Sequence, residues 1–261
     1  MLRALTDFGV APDLVVGTSI GAINGAAIAA EPTAAGITRL AQTWSAIERN
    51  DAFEGSIVGR LATLARSRTH LHENHALRRL LEESLPVGLI EDLPVRFECV
   101  AACIETASER WFSSGPLVDA VLASSAVPGL LPPVEIEGEH YLDGGIVNSI
   151  PVGRAVQLGA EVIYVLHVGR VERSLEPPRW PWQVALVAFE IARRHRFIGD
   201  MAGLSDALEV HVMPTGQADP PRYADLSPFR YRDTSNIQDQ IARSHEASTR
   251  YLKQSRSQPE A

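Results

Sequence analysis

Hydrophobic positions along this chain come in two textures: continuous apolar runs of strand length, and longer stretches with apolar residues every three or four positions. Leu2 to Phe8 has helical spacing and Gly9 supplies a stop. Pro12-Asp13 then opens a short strand, Leu14 to Val16, and an Ala-rich helix follows to about Ala30. From about Ala34 to Leu85 the pattern is mostly helical, with Leu77, Leu80 and Leu81 on one face and a stop at Pro86. Phe97 to Ile104 is a continuous apolar run, which implies burial on both faces and suits a parallel sheet covered by helices. Pro116 to Ser125 predicts a helix after a Gly-Pro turn, broken by Leu130-Leu131-Pro132-Pro133. A hairpin-like stretch, Val134 to Leu142, leads into Asp143-Gly144-Gly145. Pro151 to Leu158 predicts a helix with proline in its first turn, and Val162 to Val168 another buried strand.

Residues 170 to 185 hold Pro177, Pro178 and Pro181 and two tryptophans, a loop entering a further helix. Leu208 to Met213 reads as a last strand and Ile237 to Leu252 as a closing helix. Alternation of strand and helix predicts an α/β protein, a three-layer α/β/α arrangement around a mostly parallel sheet. One domain over residues 1–252 and a polar, frayed tail over 253–261 are expected.

Composition narrows the classes. The 261 residues are 45% hydrophobic and 21% charged, enough apolar material for one large core and too much for a disordered chain. A net charge of −8 argues against a general nucleic-acid binder, which needs clustered lysine and arginine. The two cysteines, Cys99 and Cys103, fall on the same face of one predicted strand, where a disulfide is sterically unsuited. Two lone thiols and the lack of a signal-peptide pattern point to the cytoplasm. No apolar run approaches the roughly 20 residues of a membrane span, so any membrane contact would be peripheral.

The chemistry concentrates at Gly17-Thr18-Ser19-Ile20-Gly21, between the first strand and the Ala-rich helix. Gly-x-Ser-x-Gly at a strand-to-helix turn is the nucleophile elbow, which exposes a serine at the carboxyl end of the strand. Gly17 and Gly21 are expected to relieve crowding as the chain reverses, and the helix amides behind Ser19 favour adjacent negative charge. The Ile20 backbone amide is the candidate oxyanion donor. The plain alternative is a structural turn serine.

Asp143 ends a predicted strand at the same carboxyl edge, where residues distant in sequence meet. A partly desolvated carboxylate with a raised pKa can take the serine proton, so Ser19 and Asp143 form a candidate dyad. Its ordinary alternative is an Asp-Gly turn.

Other candidates carry less. His167, His195, His211 and His245 follow Asp143 in the order of a Ser-His-Asp triad, but only 18 residues precede Ser19, where an α/β-hydrolase needs several strands. His70, His72 and His75 with Glu73 match no common zinc spacing and read as a helix entry, so no metal and no organic cofactor are expected. Trp180, Trp182, Leu186, Val187, Phe189 and Ile191, followed by Arg193, Arg194 and Arg196, fit either a core-facing helix or an interfacial helix on lipid.

Taken together the segments Leu2-Arg3-Ala4-Leu5, Pro12 to Ala26, Leu77-Arg78-Arg79-Leu80-Leu81, Ala123-Ser124-Ser125-Ala126-Val127-Pro128 with Pro132-Pro133, and Asp143 to Pro151 resemble the patatin-like phospholipase family. The resemblance implies Ser19 as nucleophile and Asp143 as its base, with no histidine. Gly144 and Gly145 would let the backbone approach the dyad. It also implies hydrolysis of lipid or other acyl esters through an acyl-enzyme.

In that family a strand and a Gly-Gly-Gly-x-Arg-Gly oxyanion loop come before the helix in which this chain begins. The expectation is that Met1 is an internal or misassigned start and that the first strand is missing. Loss of one oxyanion donor costs about 10² to 10³ in rate, so the alternative is a catalytically silent lipid-binding or regulatory form.

Overall fold

The computed structural model describes residues 1–49, 73–167, 175, 177–178, 181–205, 208–216 and 237–257. Helix α1 (Leu2–Asp7) leads into β1 (Leu14–Gly17) and α2 (Ile20–Ala30), and residues 31–33 link α2 to α3 (Ala34–Arg49). Then come α4 (His75–Ser84), β2 (Arg96–Cys103), β3 (Ser108–Phe112), α5 (Leu117–Ser124), β4 (Val134–Ile136) and β5 (Glu139–Asp143). The chain continues through α6 (Val152–Gln157), β6 (Val162–Val165), α7 (Pro181–Ala202), β7 (Glu209–Val212) and α8 (Ile237–Ser257).

β2 is the axis of the main sheet because its apolar run is buried on both faces. Phe97, Cys99, Ala101 and Cys103 face a core built from α2, α4 and α5. On α2 this packing is close: a Cβ on Gly25 would stand 3.0 Å from Val15 and 3.1 Å from Phe97. Glu98 points the other way, toward Arg154 of α6. On α4, Leu77 and Leu81 face inward while Arg78 and Glu82 pair across one helical turn, the amphipathic division its spacing predicts.

The α/β class follows the sequence expectation, and the sheet is mixed. β1 runs parallel to β2; β3 and β5 run antiparallel to β2, and β4 antiparallel to β5. The second parallel pair, β6 with β7, forms a separate two-stranded sheet.

Two registers decide the geometry of the site. Cys99 pairs with Gly17 of β1 and with Phe112 of β3, and Ala101 pairs with Arg110 of β3 and with Asp143 of β5. A strand residue has only two edges, so β3 occupies one edge of β2 while β1 and β5 share the other. Those two strands therefore approach each other end on.

Strand β3 lies where the sequence pattern predicts no strand. Ser108, Glu109 and Arg110 open it, and it alternates between exposed and part-buried positions before ending on the buried Phe112, with no apolar run. The hairpin of β4 and β5 was predicted, and its two-residue turn, Glu137-Gly138, has φ of 55° and 84°, the left-handed pair of a type I′ turn.

Helix α8 extends to Ser257, five residues past the expected stop at Leu252. Arg256 holds that extra turn, donating to the Phe8 carbonyl at 2.6 Å with its guanidinium over the Phe8 ring. Among the described residues no helix is long and apolar enough to cross a membrane.

Candidate active site

Ser19 lies between β1 and α2 with φ of 55° and ψ of −125°. A side-chain-bearing residue in this region is strained, and only the packing around it keeps it there. The turn closes through the Gly21 amide, which donates to the Thr18 carbonyl at 2.7 Å. Room for the closure comes from Gly17, where a Cβ would stand 2.5 Å from the Gly21 carbonyl oxygen and 2.8 Å from the Ala22 Cα.

At Gly21 a Cβ would meet nothing within 4 Å. The two glycines of the motif are therefore unequal: Gly17 is required by contact, and Gly21 borders open space beside Ser19.

Asp143 comes to Ser19 from the opposite direction. Ser19 Oγ donates to Asp143 Oδ2 at 2.5 Å, and the second carboxylate oxygen accepts from the Gly145 amide at 2.7 Å. The turn Gly144–Ile146 seats Asp143 against β2, and a Cβ on Gly144 would stand 2.1 Å from the Val100 carbonyl oxygen. Asp143 is buried, and burial raises its pKa from 3.8 to about 6, against the lowering effects of the Ser19 hydroxyl, the Gly145 amide and the positive charge of Arg193.

Residues that no local sequence pattern marks hold the Ser19 backbone. The Ser19 amide donates to Ser124 Oγ at 3.0 Å, and Ser125 Oγ donates to the Ser19 carbonyl at 3.2 Å. Thr18 Oγ1 donates to the Asn148 carbonyl at 2.8 Å. The available signal was two adjacent serines ending an apolar helix, since buried hydroxyls are found with partners.

The Ile20 amide is the first of α2, where a helix N–H has no intrahelical acceptor.

Two of the histidine candidates are engaged elsewhere. His211 contacts Glu209 and the Tyr251 hydroxyl, and His245 pairs with Asp7. His195 is exposed on α7. Cys99 is fully buried, and burial together with the neighbouring Glu98 raises its thiol pKa, away from thiolate chemistry. His70, His72 and Trp180 lie outside the described residues, as do the side chains of Trp182, Leu186 and Phe189. His75 is the exposed first residue of α4.

Helix α7 packs on the Gly144–Ile146 turn. Val184, Ile191 and Ile198 are exposed along it, seven residues apart. Arg193 and Arg194 pair with Glu190, while Arg196 pairs with Glu109 and Asp200.

Comparison with known proteins identifies the family. The family model for patatin-like phospholipase matches residues 1–156. A patatin-like phospholipase domain-containing protein of Caenorhabditis elegans is 32% identical over 182 residues, 67% of this chain and 13% of that protein. Lysophospholipase nte1 of Aspergillus terreus is 31% identical over 176 residues, 66% of this chain and 11% of its own length. The chain thus spans a small fraction of the curated relatives it matches. With the family model covering more than half of its length, this chain belongs to the patatin-like phospholipase family.

Proposed function

We propose that this chain is a serine acyl-ester hydrolase acting on lipid esters, with Ser19 as nucleophile and Asp143 as general base. The observation that carries the reading is the 2.5 Å hydrogen bond from Ser19 Oγ to Asp143 Oδ2 at a strained strand-to-helix turn. Family membership and the lysophospholipase relatives support the lipid class of substrate.

In the first half-reaction Asp143 takes the hydroxyl proton as Ser19 Oγ bonds to the ester carbonyl carbon. The carbonyl oxygen becomes an oxyanion beside the Ile20 amide. Collapse breaks the ester C–O bond, and the leaving alkoxide takes the proton from Asp143. Water then attacks the acyl-enzyme, giving one proton to Asp143, and collapse returns that proton to Ser19 and releases the fatty acid. A base pKa of about 6 leaves Asp143 mostly ionised at neutral pH and still basic enough to accept a proton.

The apolar positions Ile20 and Ile146 beside the dyad and Val184, Ile191 and Ile198 on α7 support contact with the surface of a lipid aggregate. Because the α7 arginines already face carboxylates, the contact is apolar and does not select anionic lipid.

The test is labelling with a fluorophosphonate, with the modified peptide mapped by mass spectrometry beside Ser19→Ala and Asp143→Asn. Labelling at Ser19 that falls in both variants is expected. A folded, unlabelled chain would overturn the reading in favour of a non-catalytic, lipid-binding form.

A further inference from the structure

Helix α5 ends beside Ser19 and Asp143, and three consecutive residues there touch the backbones of both. Ser124 Oγ accepts from the Ser19 amide at 3.0 Å, Ser125 Oγ donates to the Ser19 carbonyl at 3.2 Å, and the Ala126 carbonyl accepts from the Asp143 amide at 2.9 Å. β2 sets how far apart β1 and β5 end, whereas these bonds act on the two residues themselves.

The two serine contacts are not equivalent. The Ser19 carbonyl already accepts from the Ala22 amide at 2.8 Å and from the Ile23 amide at 3.2 Å, so the Ser125 hydroxyl is a third donor to one oxygen. Among the described residues the Ser19 amide has Ser124 Oγ as its one acceptor. Ser124 is completely buried, so solvent does not compete for that hydroxyl. Removing such an acceptor leaves a donor unsatisfied, which costs more than the bond itself is worth. The need for a hold comes from the turn. At φ of 55° and ψ of −125° Ser19 is strained, and any rotation that releases the strain carries Cβ and the hydroxyl with it. Anchoring the amide fixes the peptide plane that precedes Ser19, and with it the direction of Oγ toward Asp143 Oδ2.

Resting on the hydrolase reading above, we infer that Ser124 is a positioning residue for the nucleophile: its hydroxyl holds Ser19 in the strained conformation that keeps Oγ against Asp143, with Ser125 a weaker second hold. Ser124 contacts the Ser19 amide and not Oγ, so it acts on the chemical step through Ser19. It therefore governs kcat and leaves ester binding alone.

The test measures hydrolysis of p-nitrophenyl butanoate across pH by Ser124→Ala, Ser125→Ala and Ser248→Ala. Ser248 is the control, an equally buried hydroxyl that donates from α8 to the Pro214 carbonyl at 3.2 Å. Ser124→Ala is expected to lower kcat at least about tenfold with KM within about twofold, Ser125→Ala to lower it by a smaller factor, and Ser248→Ala to leave it within about twofold. In Ser124→Ala the half-maximal pH also rises, because the Ser19 hydrogen bond that lowers the Asp143 pKa is lost. Ser124→Thr restores the hydroxyl and is expected to return both values toward wild type; Ser124→Val has the same shape without the hydroxyl and is not. Because these two share their bulk, they carry the comparison if Ser124→Ala does not fold.

Equal losses at Ser124 and Ser125, a change confined to KM, or an unmoved pH profile would overturn the inference. Should the wild-type chain hydrolyse no ester and take no fluorophosphonate, the hydrolase reading fails instead. Urea unfolding then decides the hold separately, through the difference in midpoint between Ser19→Gly and Ser19→Ala. A difference that closes in the Ser124→Ala background supports the hold, and one undiminished there or absent from the start overturns it.

Discussion

Gly17 and Asp143 lie on one edge of β2, two rungs apart, at the ends of strands that run toward each other. Gly17 pairs with Cys99 and Asp143 with Ala101, so the gap between the two strand ends is fixed by the rise of β2 itself. Ser19 turns into that gap and meets Asp143 there. This hydrogen-bonded pair, 124 residues apart in sequence, is thus held by one strand's backbone.

The glycines at this junction separate by what a Cβ would touch. Gly17→Ala drives a methyl against the Gly21 carbonyl, and Gly144→Ala against the Val100 carbonyl, both backbone atoms in packed elements. Each is expected to abolish labelling of Ser19 and to lower thermal stability sharply. Gly21→Ala meets open space in the first turn of a helix, where alanine is favoured by about 1 kcal/mol. A fold as stable as wild type or more so is expected, read by melting temperature.

Strain at Ser19 makes a second measurable difference. With φ of 55° and ψ of −125°, any residue bearing a Cβ stores energy there and glycine does not. Both Ser19→Gly and Ser19→Ala remove the hydroxyl. The glycine variant is expected to be more stable than the alanine variant by about 1 to 3 kcal/mol in urea unfolding. Equal stabilities would mean that the elbow relaxes in solution.

Much of this site is legible before any coordinates. A strand-to-helix Gly-x-Ser-x-Gly announces its own geometry because few backbones satisfy that spacing, and the apolar run of β2 announces burial on both faces. β3 escapes because Ser108-Glu109-Arg110 has the polarity of a loop, and its pairing with β2 comes through backbone hydrogen bonds that no side-chain pattern encodes. Ser124 and Ser125 escape for a different reason: a helix-ending serine bonds most often to its own backbone, and nothing local says that these two reach across 105 and 106 residues to Ser19. The unequal demands on Gly17 and Gly21 likewise depend on which neighbours tertiary packing brings close.

Asp143 sets the pH dependence in two opposite senses. As the proposed general base Asp143 acts in its ionised form, so activity is expected to rise with pH, reach half its plateau near pH 6 and fall about tenfold for each pH unit below that. Stability runs the other way. The folded pKa of about 6 exceeds the unfolded 3.8, so the folded chain binds the proton more tightly, and stability is lost as pH rises from about 4 to about 6. Asp143→Asn removes that loss. It is expected to be inactive yet more stable than wild type at pH 8, by on the order of 3 kcal/mol, with the difference vanishing below pH 4. Matched urea titrations at the two pH values read it directly.

Glu98 poses the converse case, a buried charge whose partners are in place. It is 1% exposed on the central strand and receives Arg154 Nε at 2.9 Å and Nη2 at 2.7 Å, while Arg96 donates to its other oxygen at 3.0 Å. Arg154 also lies over the Trp111 ring, 5.0 Å from its centroid, so α6, β2 and β3 meet at one guanidinium. Arg154→Met keeps much of the side chain's length and apolar contact but leaves the carboxylate with only the largely exposed Arg96. Removing one partner of a buried pair typically costs about 3 to 5 kcal/mol, and the remaining arginine places this case at the lower end. Replacing both partners, as Glu98→Leu with Arg154→Met, leaves no buried charge to solvate and is expected to recover most of that loss. The double-mutant cycle, run by urea unfolding, separates the pair's coupling from packing on Trp111. A double variant as unstable as the single one would place the energy in the Trp111 contact instead.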